Sequence, residues 1–272
     1  VCGNELVEVR GTLPLKNIDI PQIMDLDIRY QDADLIVINK PAGLVVHPAA
    51  GNLDGTLLNG LLNWDPNLAC LPRCGIVHRL DKDTSGLLVI ARSIAAYTGL
   101  VTQLQDHSIH REYAAVVAGT PVTGGTVDLP IGRHPTQRTK MAVVKNTNTG
   151  KTAITHFQVQ ERFVGYSLLK VRLNTGRTHQ IRVHMSHINL PIVGDSVYSQ
   201  QRPRSSPGLN QDLTAYIRSF PRQALHSKSL RLKHPLTEAI LAWELPLPED
   251  MEHLVSKLRS QSALCADVGK NS

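Results

Sequence analysis

The chain has 272 residues, 42% of them hydrophobic, which is enough to bury a substantial core as one large domain with or without an appendage. Its 29 basic and 23 acidic residues give a net charge of +6, which favours an acidic partner such as nucleic acid, although a merely basic surface gives the same total. Four cysteines without a C-x-x-C pair exclude an ordinary zinc site, and no apolar run reaches membrane-spanning length. We therefore expect a soluble protein of the reducing cytoplasm, with no membrane partner.

The first strong element is the β-branched run at residues 35–38, which predicts a strand. Asn39, Lys40 and Pro41 end this strand, because proline and the glycine that follows turn the chain sharply. Lys40 has two interpretations, a contact to a phosphate or a solvated lysine in a turn.

Residues 78–92 read HRLDKDTSGLLVIAR, a polar turn leading directly into an apolar run of the length of a buried strand. A rigidly supported loop of this kind is where catalytic side chains tend to lie. Asp81 stands between Arg79 and Lys82, and nearby positive charge favours an ionised carboxylate. We hypothesise that Asp81 is the catalytic residue. The alternative is ordinary turn chemistry, with Gly86 supplying a positive φ.

Ser93 is a candidate N-cap for a helix to about Gln105, and residues 111–119 then predict a strand that carries Tyr113. Tyr113 is either a core aromatic or a ring that stacks on a base. Because only 4% of the residues are aromatic, a general stacking platform is excluded.

Residues 124–151 are rich in Gly, Thr and Asn, which predicts a loop or irregular hairpin. Its cations are candidate phosphate contacts or solvated surface groups, and the candidates are Arg133, Arg138 and Lys140. Residues 155–160 and the alternating stretch 169–173 follow as predicted strands.

Residues 177–188 predict an amphipathic helix, because Ile181, Met185 and Ile188 recur at helical spacing. Arg177 would then stand at the helix N-terminus, where the macrodipole opposes a cation and calls for a compensating anion, with Asp81 as the natural candidate. A metal site built from the nearby histidines is a rival interpretation. It is disfavoured because His179 and His184 lie five residues apart and do not share a helix face.

The C-terminal part predicts a strand at residues 225–232 and a helix at 249–258. The last residues, 261–272, are expected to form a disordered tail.

Three motifs together carry a resemblance to a known family. They are Asn39-Lys40-Pro41, the stretch from His78 to Gly86, and GRTHQIRVH at residues 176–184. In this order they resemble the RluA family of RNA pseudouridine synthases, and the likeness extends from about Asp27 to about Lys257. Within the family it is greatest to the members that modify large-subunit ribosomal RNA.

The resemblance implies an isomerase that converts uridine in RNA to pseudouridine without metal or cofactor. By analogy with the family, Asp81 is the catalytic residue, Tyr113 stacks on the target uracil and Arg177 pairs with Asp81. Arg79 fills the space of the flipped base, and Ile181 packs near it. Lys40 and His78 are further candidate RNA-binding residues. Whether Asp81 attacks covalently or removes a proton from the ribose stays open.

We expect an α+β fold with a mixed, largely antiparallel sheet and peripheral helices. Residues 26–260 would form the catalytic domain, and residues 1–25 the tail of a truncated S4-like RNA-binding domain plus a linker. The partner would be large-subunit rRNA or its precursor particle, bound by a monomer. Three alternatives remain: a synthase of the same family acting on tRNA, a non-catalytic RNA-binding or ribosome-assembly protein, and a metal-dependent hydrolase.

Overall fold

The computed structural model of the chain describes residues 20–49, 51–137, 140–145, 149–199 and 209–268, with the side chains of 265–268 excepted. The strands in these ranges are β1 Ile28–Gln31, β2 Leu35–Lys40, β3 Ser85–Ala91, β4 His110–Ala118, β5 Gly125–Asp128, β6 Ile131–Arg133, β7 Met141–Val143, β8 Gly150–Lys151, β9 Ile154–Phe163, β10 Tyr166–Leu173, β11 Leu225–Lys233 and β12 Ile240–Glu244. The helices are α1 Leu57–Trp64, α2 Ile94–Gln105, α3 Gln180–His187, α4 Gln211–Arg218 and α5 Glu249–Val268.

One large sheet organises the molecule, with strand order β1-β2-β3-β11-β4-β10-β9-β5 and with β12 paired to β11. Strands β6, β7 and β8 form a second, small sheet. Within the described ranges β3 and β11 pair in parallel, and the remaining strand pairs are antiparallel. The expected α+β class with a mixed, largely antiparallel sheet is confirmed.

Strand β3 is buried along its whole length because both faces of the sheet are covered there. Leu88 and Ile90 join a core cluster with helix α1, whereas Leu87 and Val89 join a second cluster with α2. Side chains alternate between the faces of a strand, so a strand covered on both sides must be apolar at every position. This explains the uninterrupted apolar run after the Asp81 turn.

Gly86 permits the close approach of β3 and β11. Its φ is +113°, and a Cβ at this position would lie 2.3 Å from the Ser227 carbonyl oxygen. Only glycine combines this backbone conformation with the absence of a clashing side chain. The loop that carries Asp81 is therefore joined to the centre of the sheet at a fixed point.

Two predicted boundaries are wrong. Helix α3 begins at Gln180 rather than Arg177, because His179 at the N-cap has a left-handed backbone with φ of 57°. Helix α5 continues to Val268, so residues 261–268 are helical rather than disordered. The Ser262 hydroxyl accepts a hydrogen bond from the Val164 backbone N–H at 3.0 Å, which ties this last part of the helix to the turn between β9 and β10.

The expected N-terminal tail, residues 1–25, lies mostly outside the described residues, as do residues 269–272 of the expected C-terminal tail. None of the helices in the described ranges is long and apolar enough to span a membrane.

Candidate active site

Three separate stretches of the chain meet around one cleft of about 1030 Å³. The loop before β3 contributes His78, Arg79 and Asp81, strand β4 contributes Tyr113, and residues 176–182 form a further part of the wall. Five of the residues predicted from sequence to contact RNA or take part in catalysis therefore line the same cavity as Asp81, and they are His78, Arg79, Tyr113, Arg177 and Ile181.

Asp81 is held by Arg182, not by Arg177. Nη1 of Arg182 donates to Oδ2 of Asp81 at 3.1 Å, while its Nε and Nη2 donate to the two carboxylate oxygens of Asp195 at 2.7 and 3.0 Å. One guanidinium thus bridges two carboxylates, and its planar fork fixes the orientation of both. Burial opposes the charge on Arg182, but the hydrogen bonds and charges of Asp195 and Asp81 outweigh burial and raise its pKa above the ordinary value.

The predicted pairing of Arg177 with Asp81 is wrong because Arg177 precedes the helix. Its Nε donates to the Thr152 carbonyl oxygen at 3.0 Å, and its side chain lines the cleft. The macrodipole argument required Arg177 in the first helical turn, and that turn begins at Gln180. Arg177 remains a residue of the cleft wall.

Lys40 is buried beneath the Asp81 loop and does not reach the surface, so neither interpretation made from sequence was correct. Its Nζ donates to the carbonyl oxygens of Pro41, Leu44 and Lys82 at 2.7, 2.9 and 2.9 Å. These three acceptors match the three N–H groups of an ammonium. Burial lowers the pKa of Lys40 to about 7, with the charges of Asp83 and Asp81 opposing the shift. The side chain joins the turn after β2 to the residue that follows Asp81.

A second buried cation holds the other end of the loop. Nη1 of Arg222 donates to the Asp83 carbonyl oxygen at 3.2 Å, and its Nε and Nη2 pair with the Asp250 carboxylate at 2.6 and 2.8 Å. The neighbouring Gln223 donates to the Thr84 hydroxyl at 3.1 Å. Residues 82–84 are therefore held by hydrogen bonds on both sides, which supports the Asp81 loop.

Tyr113 and Ile181 form an apolar part of the cleft wall close to Asp81. Tyr113 is 5% exposed and Ile181 is 4% exposed, and both line the cavity. Burial raises the pKa of Tyr113, with the Asp81 charge adding to the shift and Arg111 and a hydrogen bond to Ser227 opposing it. The ring and the aliphatic side chain together offer a surface suited to one face of a planar base.

Arg79 and His78 differ in their exposure although they are adjacent. Arg79 is exposed at the cleft. Nε2 of His78 accepts a hydrogen bond from the Val89 N–H at 3.2 Å. Burial lowers the pKa of His78 to about 3, and the positive charge of Arg111 lowers it further, so the ring is neutral at pH 7. Arg79 is thus available to a ligand, whereas Nε2 of His78 already accepts a hydrogen bond from the Val89 N–H.

Arg133 and Lys140, the remaining predicted phosphate contacts that the structure describes, do not line this cleft. Arg133 ends β6 and is exposed, and Lys140 is half-buried just before β7. Arg138 lies outside the described residues. Their assignment as RNA contacts stays a prediction.

The histidines of the third motif are used in hydrogen bonds. His184 bonds through Nδ1 to the Thr155 hydroxyl at 2.9 Å and through Nε2 to the Leu129 carbonyl oxygen at 3.0 Å. Nδ1 of His179 bonds to the Tyr198 hydroxyl at 2.8 Å, and its Nε2 lies 4.0 Å from Asp81. Both ring nitrogens of His184 form hydrogen bonds within the protein, so we assign His184 a structural role.

A different cluster has the ligand types of a metal site: Asp32, Asp34 and His234, whose potential ligand atoms lie within 4.8 Å of one another. Oδ2 of Asp32 accepts from Tyr30 at 2.6 Å and from His234 at 3.1 Å, and Oδ1 of Asp34 accepts from Ser93 at 2.9 Å. These hydrogen bonds account for the cluster as a structural network, and none of the three residues lines the cleft.

Sequence reasoning missed Arg182 and Asp195. The sequence signal for Arg182 is its place between the apolar residues Ile181 and Val183. The structure buries all of residues 180–185, and a charged group there must find a buried partner. Asp195 follows an apolar pair at residues 192–193 and is 1% exposed. Nothing in the sequence indicates which cation it meets.

Comparison with known proteins agrees with this geometry. Residues 34–187 match the family described as RNA pseudouridylate synthase. The chain is 55% identical over 240 residues to the ribosomal large subunit pseudouridine synthase D of Pseudomonas aeruginosa, covering 88% of this chain and 74% of that protein. It is 49% identical over 268 residues to the protein of the same name from Xanthomonas campestris, covering 98% of this chain and 80% of that one. Among solved structures, human RNA pseudouridylate synthase domain containing 4 is similar with a TM-score of 0.66 and 26% identity, covering 85% of this chain and 92% of that one.

Proposed function

Because the chain belongs to the RNA pseudouridylate synthase family, we propose that it isomerises uridine to pseudouridine in large-subunit ribosomal RNA, with Asp81 as the catalytic group. The observation that carries the proposal is the Asp81 carboxylate, fixed by Arg182 inside a cleft that also contains Tyr113 and Ile181. The relatives named above are ribosomal large subunit synthases, which supports ribosomal RNA over tRNA as the substrate.

The reaction breaks the bond from ribose C1′ to N1 of the base and forms a bond from C1′ to C5. N1 gains a proton and C5 loses one, so no oxidant, reductant or energy source is needed. Asp81 acts either by covalent attack or by taking a proton from the ribose C2′, and both roles require an ionised, oriented carboxylate. Arg182 supplies the orientation through its hydrogen bond of 3.1 Å to Asp81.

The target uridine must leave the RNA stack before Asp81 can reach its sugar, at a cost of a few kcal/mol. Tyr113 would stack on the extruded base with Ile181 beside it, and Arg79, which is exposed at the cleft, would occupy the vacated space. Arg177, which lines the cleft, would contact a phosphate, and Arg133, Arg138 and Lys140 are proposed as further phosphate contacts.

The proposal also covers the extent of the catalytic unit, the oligomeric state and the place of action. The catalytic unit begins at about residue 26 and includes helix α5, and the enzyme acts as a cytoplasmic monomer on a stem-loop of the rRNA or of its precursor particle.

The test is to incubate large-subunit rRNA transcripts with the parent protein and with Asp81→Asn, in EDTA, and then to map pseudouridine. Asp81→Asn is nearly isosteric and can still accept from Arg182, so it removes the charge while preserving the cleft. We expect the parent protein to modify a defined uridine and the variant to modify none.

Three outcomes would contradict the proposal. Equal modification by both proteins would remove Asp81 from the mechanism. Loss of parent activity in EDTA, restored by a divalent cation, would favour a metal-dependent enzyme. Tight RNA binding by the parent without any modified uridine in rRNA or tRNA would favour the non-catalytic assembly protein.

A further inference from the structure

Arg111 lies on the wall of the cleft beside Tyr113. Both residues belong to β4 and, being two apart, they project from the same face of the strand. Arg111 is 7% exposed and lines the same cavity as Asp81. The cavity continues to the C-terminal end of α2, where Val101, Leu104 and His107 line it. The volume of this cleft, about 1030 Å³, leaves room beside Arg111 for more than one nucleotide.

No described residue forms a hydrogen bond or ion pair with the Arg111 side chain, and its Nε is buried without a partner. Nδ1 of the neighbouring His78 is likewise buried without a partner. By contrast, the buried Arg182 and Arg222 each pair with a carboxylate. A buried cation is costly unless an anion compensates it, and no carboxylate among the described residues, Asp81 included, pairs directly with Arg111, so an anion from outside the chain would stabilise it.

The loop next to Arg111 leaves room for the guanidinium. A Cβ added at Gly176 would lie 3.0 Å from Nη1 of Arg111, which is closer than Cβ atoms usually approach a neighbouring atom in proteins. Gly176 also lines the cleft, so the guanidinium lies between β4 and the loop that leads to Arg182.

We propose that Arg111 binds a backbone phosphate of the RNA next to the uridine whose base stacks on Tyr113. This inference rests on the proposed function. A guanidinium fork matches the geometry of a phosphate, and the phosphate is the group of RNA that carries a full negative charge. A uracil carbonyl would accept a hydrogen bond from Arg111 but would leave the buried charge uncompensated. The phosphate fixes the register of the strand, so that the adjacent sugar reaches Asp81.

The experiment uses the stem-loop RNA with a single methylphosphonate, which lacks the negative charge, at each linkage around the target uridine. Binding and single-turnover modification are measured for the parent protein, Arg111→Met and Arg111→Lys. We expect one linkage at which the methylphosphonate weakens the parent about 10- to 100-fold, the range of one charge-assisted contact. Arg111→Met should lose a similar factor on the unmodified RNA and nothing further at that linkage, with Arg111→Lys in between.

Stability gives a second readout, which a merely structural arginine would not satisfy. Without RNA, Arg111→Met should unfold at the same or a higher temperature than the parent, because an unpaired buried cation has been removed. The slope of log affinity against log salt should fall by about one phosphate contact. Arg231→Met makes the same change at an exposed position on the neighbouring β11 and should leave the methylphosphonate profile unchanged.

Each contrary result is decisive. Equal sensitivity of Arg111→Met and the parent at all linkages would overturn the phosphate contact. An Arg111 effect without any sensitive linkage would assign the residue to the base, and a large loss of stability would assign it to the fold. If the parent binds the RNA but modifies no uridine, the proposed function fails, while the binding profile still tests Arg111.

Discussion

Replacing Arg182 with Met should both destabilise the fold and inactivate the enzyme, because one side chain supports two carboxylates. The Arg182 side chain is 7% exposed and Asp195 is 1% exposed, so water cannot replace the lost contacts. Asp195 would keep the hydrogen bonds from the Val197 and Tyr198 N–H groups but would lose its counter-charge. Removing one partner of a buried ion pair costs about 3–5 kcal/mol, and we expect a loss of unfolding free energy in this range.

The effect on catalysis follows from the orientation of Asp81. Its bond to Arg182 fixes the carboxylate, and a displacement of about 1 Å at a reacting group costs on the order of 10²-fold in rate. We expect Arg182→Met to lower the single-turnover rate by at least this factor, with a smaller change in RNA affinity. Arg182→Lys keeps the charge but cannot reach both carboxylates with a planar fork, so it should recover stability better than activity.

Urea unfolding monitored by circular dichroism measures the stability, and release of tritium from RNA labelled at uridine C5 measures the reaction. Arg177→Met is the matched control, because Arg177 contacts the Thr152 carbonyl oxygen rather than Asp81. Its unfolding free energy should lie within about 0.5 kcal/mol of the parent. If Arg177→Met lost stability and rate while Arg182→Met kept both, the assignment of Arg182 as the partner of Asp81 would be refuted.

Three further changes probe the support of the site. Gly86→Ala should prevent folding, because its Cβ would lie 2.3 Å from the Ser227 carbonyl oxygen, whereas Gly43→Ala has a φ of +86° but no atom within 4 Å and should cost about 1 kcal/mol in thermal unfolding. Lys40→Met should slow modification by loosening the Asp81 loop. Since folding lowers the Lys40 pKa from 10.5 to about 7, the unfolded chain binds more protons in that window, and the stability of the parent relative to Lys40→Met should rise from pH 7 to 10.5. His226 on β11, whose Nδ1 bonds to the Ser85 hydroxyl at 2.8 Å, behaves in the same sense at lower pH. Burial lowers its pKa from 6.5 to about 4, so relative to His226→Asn the parent should lose up to about 3 kcal/mol as the pH falls through this window, and no change in urea midpoint would contradict the shift.

The strands around the site could be predicted because their patterns are local. The run at residues 87–91 and the β-branched run at 35–38 correspond to β3 and β2, and the strand carrying Tyr113 corresponds to β4. Each is an apolar stretch bounded by turn residues, and such a stretch is a strand wherever both of its faces are covered. The position of Asp81 in the turn before β3 followed from the same reasoning.

The partner of Asp81 could not be predicted, because it depends on a backbone conformation and on a remote residue. His179 adopts a left-handed backbone that delays the helix by three residues, which moves Arg177 out of it. Arg182 is buried in α3 next to Ile181, and Asp195 approaches from a later loop. No local pattern encodes that meeting.

The burial of Lys40 could not be predicted for a similar reason. Its three acceptors are backbone carbonyl groups from two turns, at Pro41, Leu44 and Lys82. Every residue has such a carbonyl group, so the side chains in the sequence do not indicate where Lys40 finds its hydrogen-bond acceptors. A lysine in a turn is usually solvated, and only the assembled fold shows that this turn is covered.

The basic composition of the chain therefore overstates the charge available to RNA near the site. Arg182 and Arg222 are cations whose charge is used within the protein, on the carboxylates and carbonyl groups that hold the Asp81 loop, and Lys40 is buried with its three N–H groups on carbonyl oxygens and its pKa lowered to about 7. Arg79 and Arg111 line the same cleft; Arg79 is exposed, and Nε of Arg111 has no hydrogen-bond partner among the described residues. Net charge cannot separate these two groups, whereas burial together with hydrogen-bond partners can. Cations of the first group determine the geometry of catalysis, and cations of the second determine the salt dependence of RNA binding.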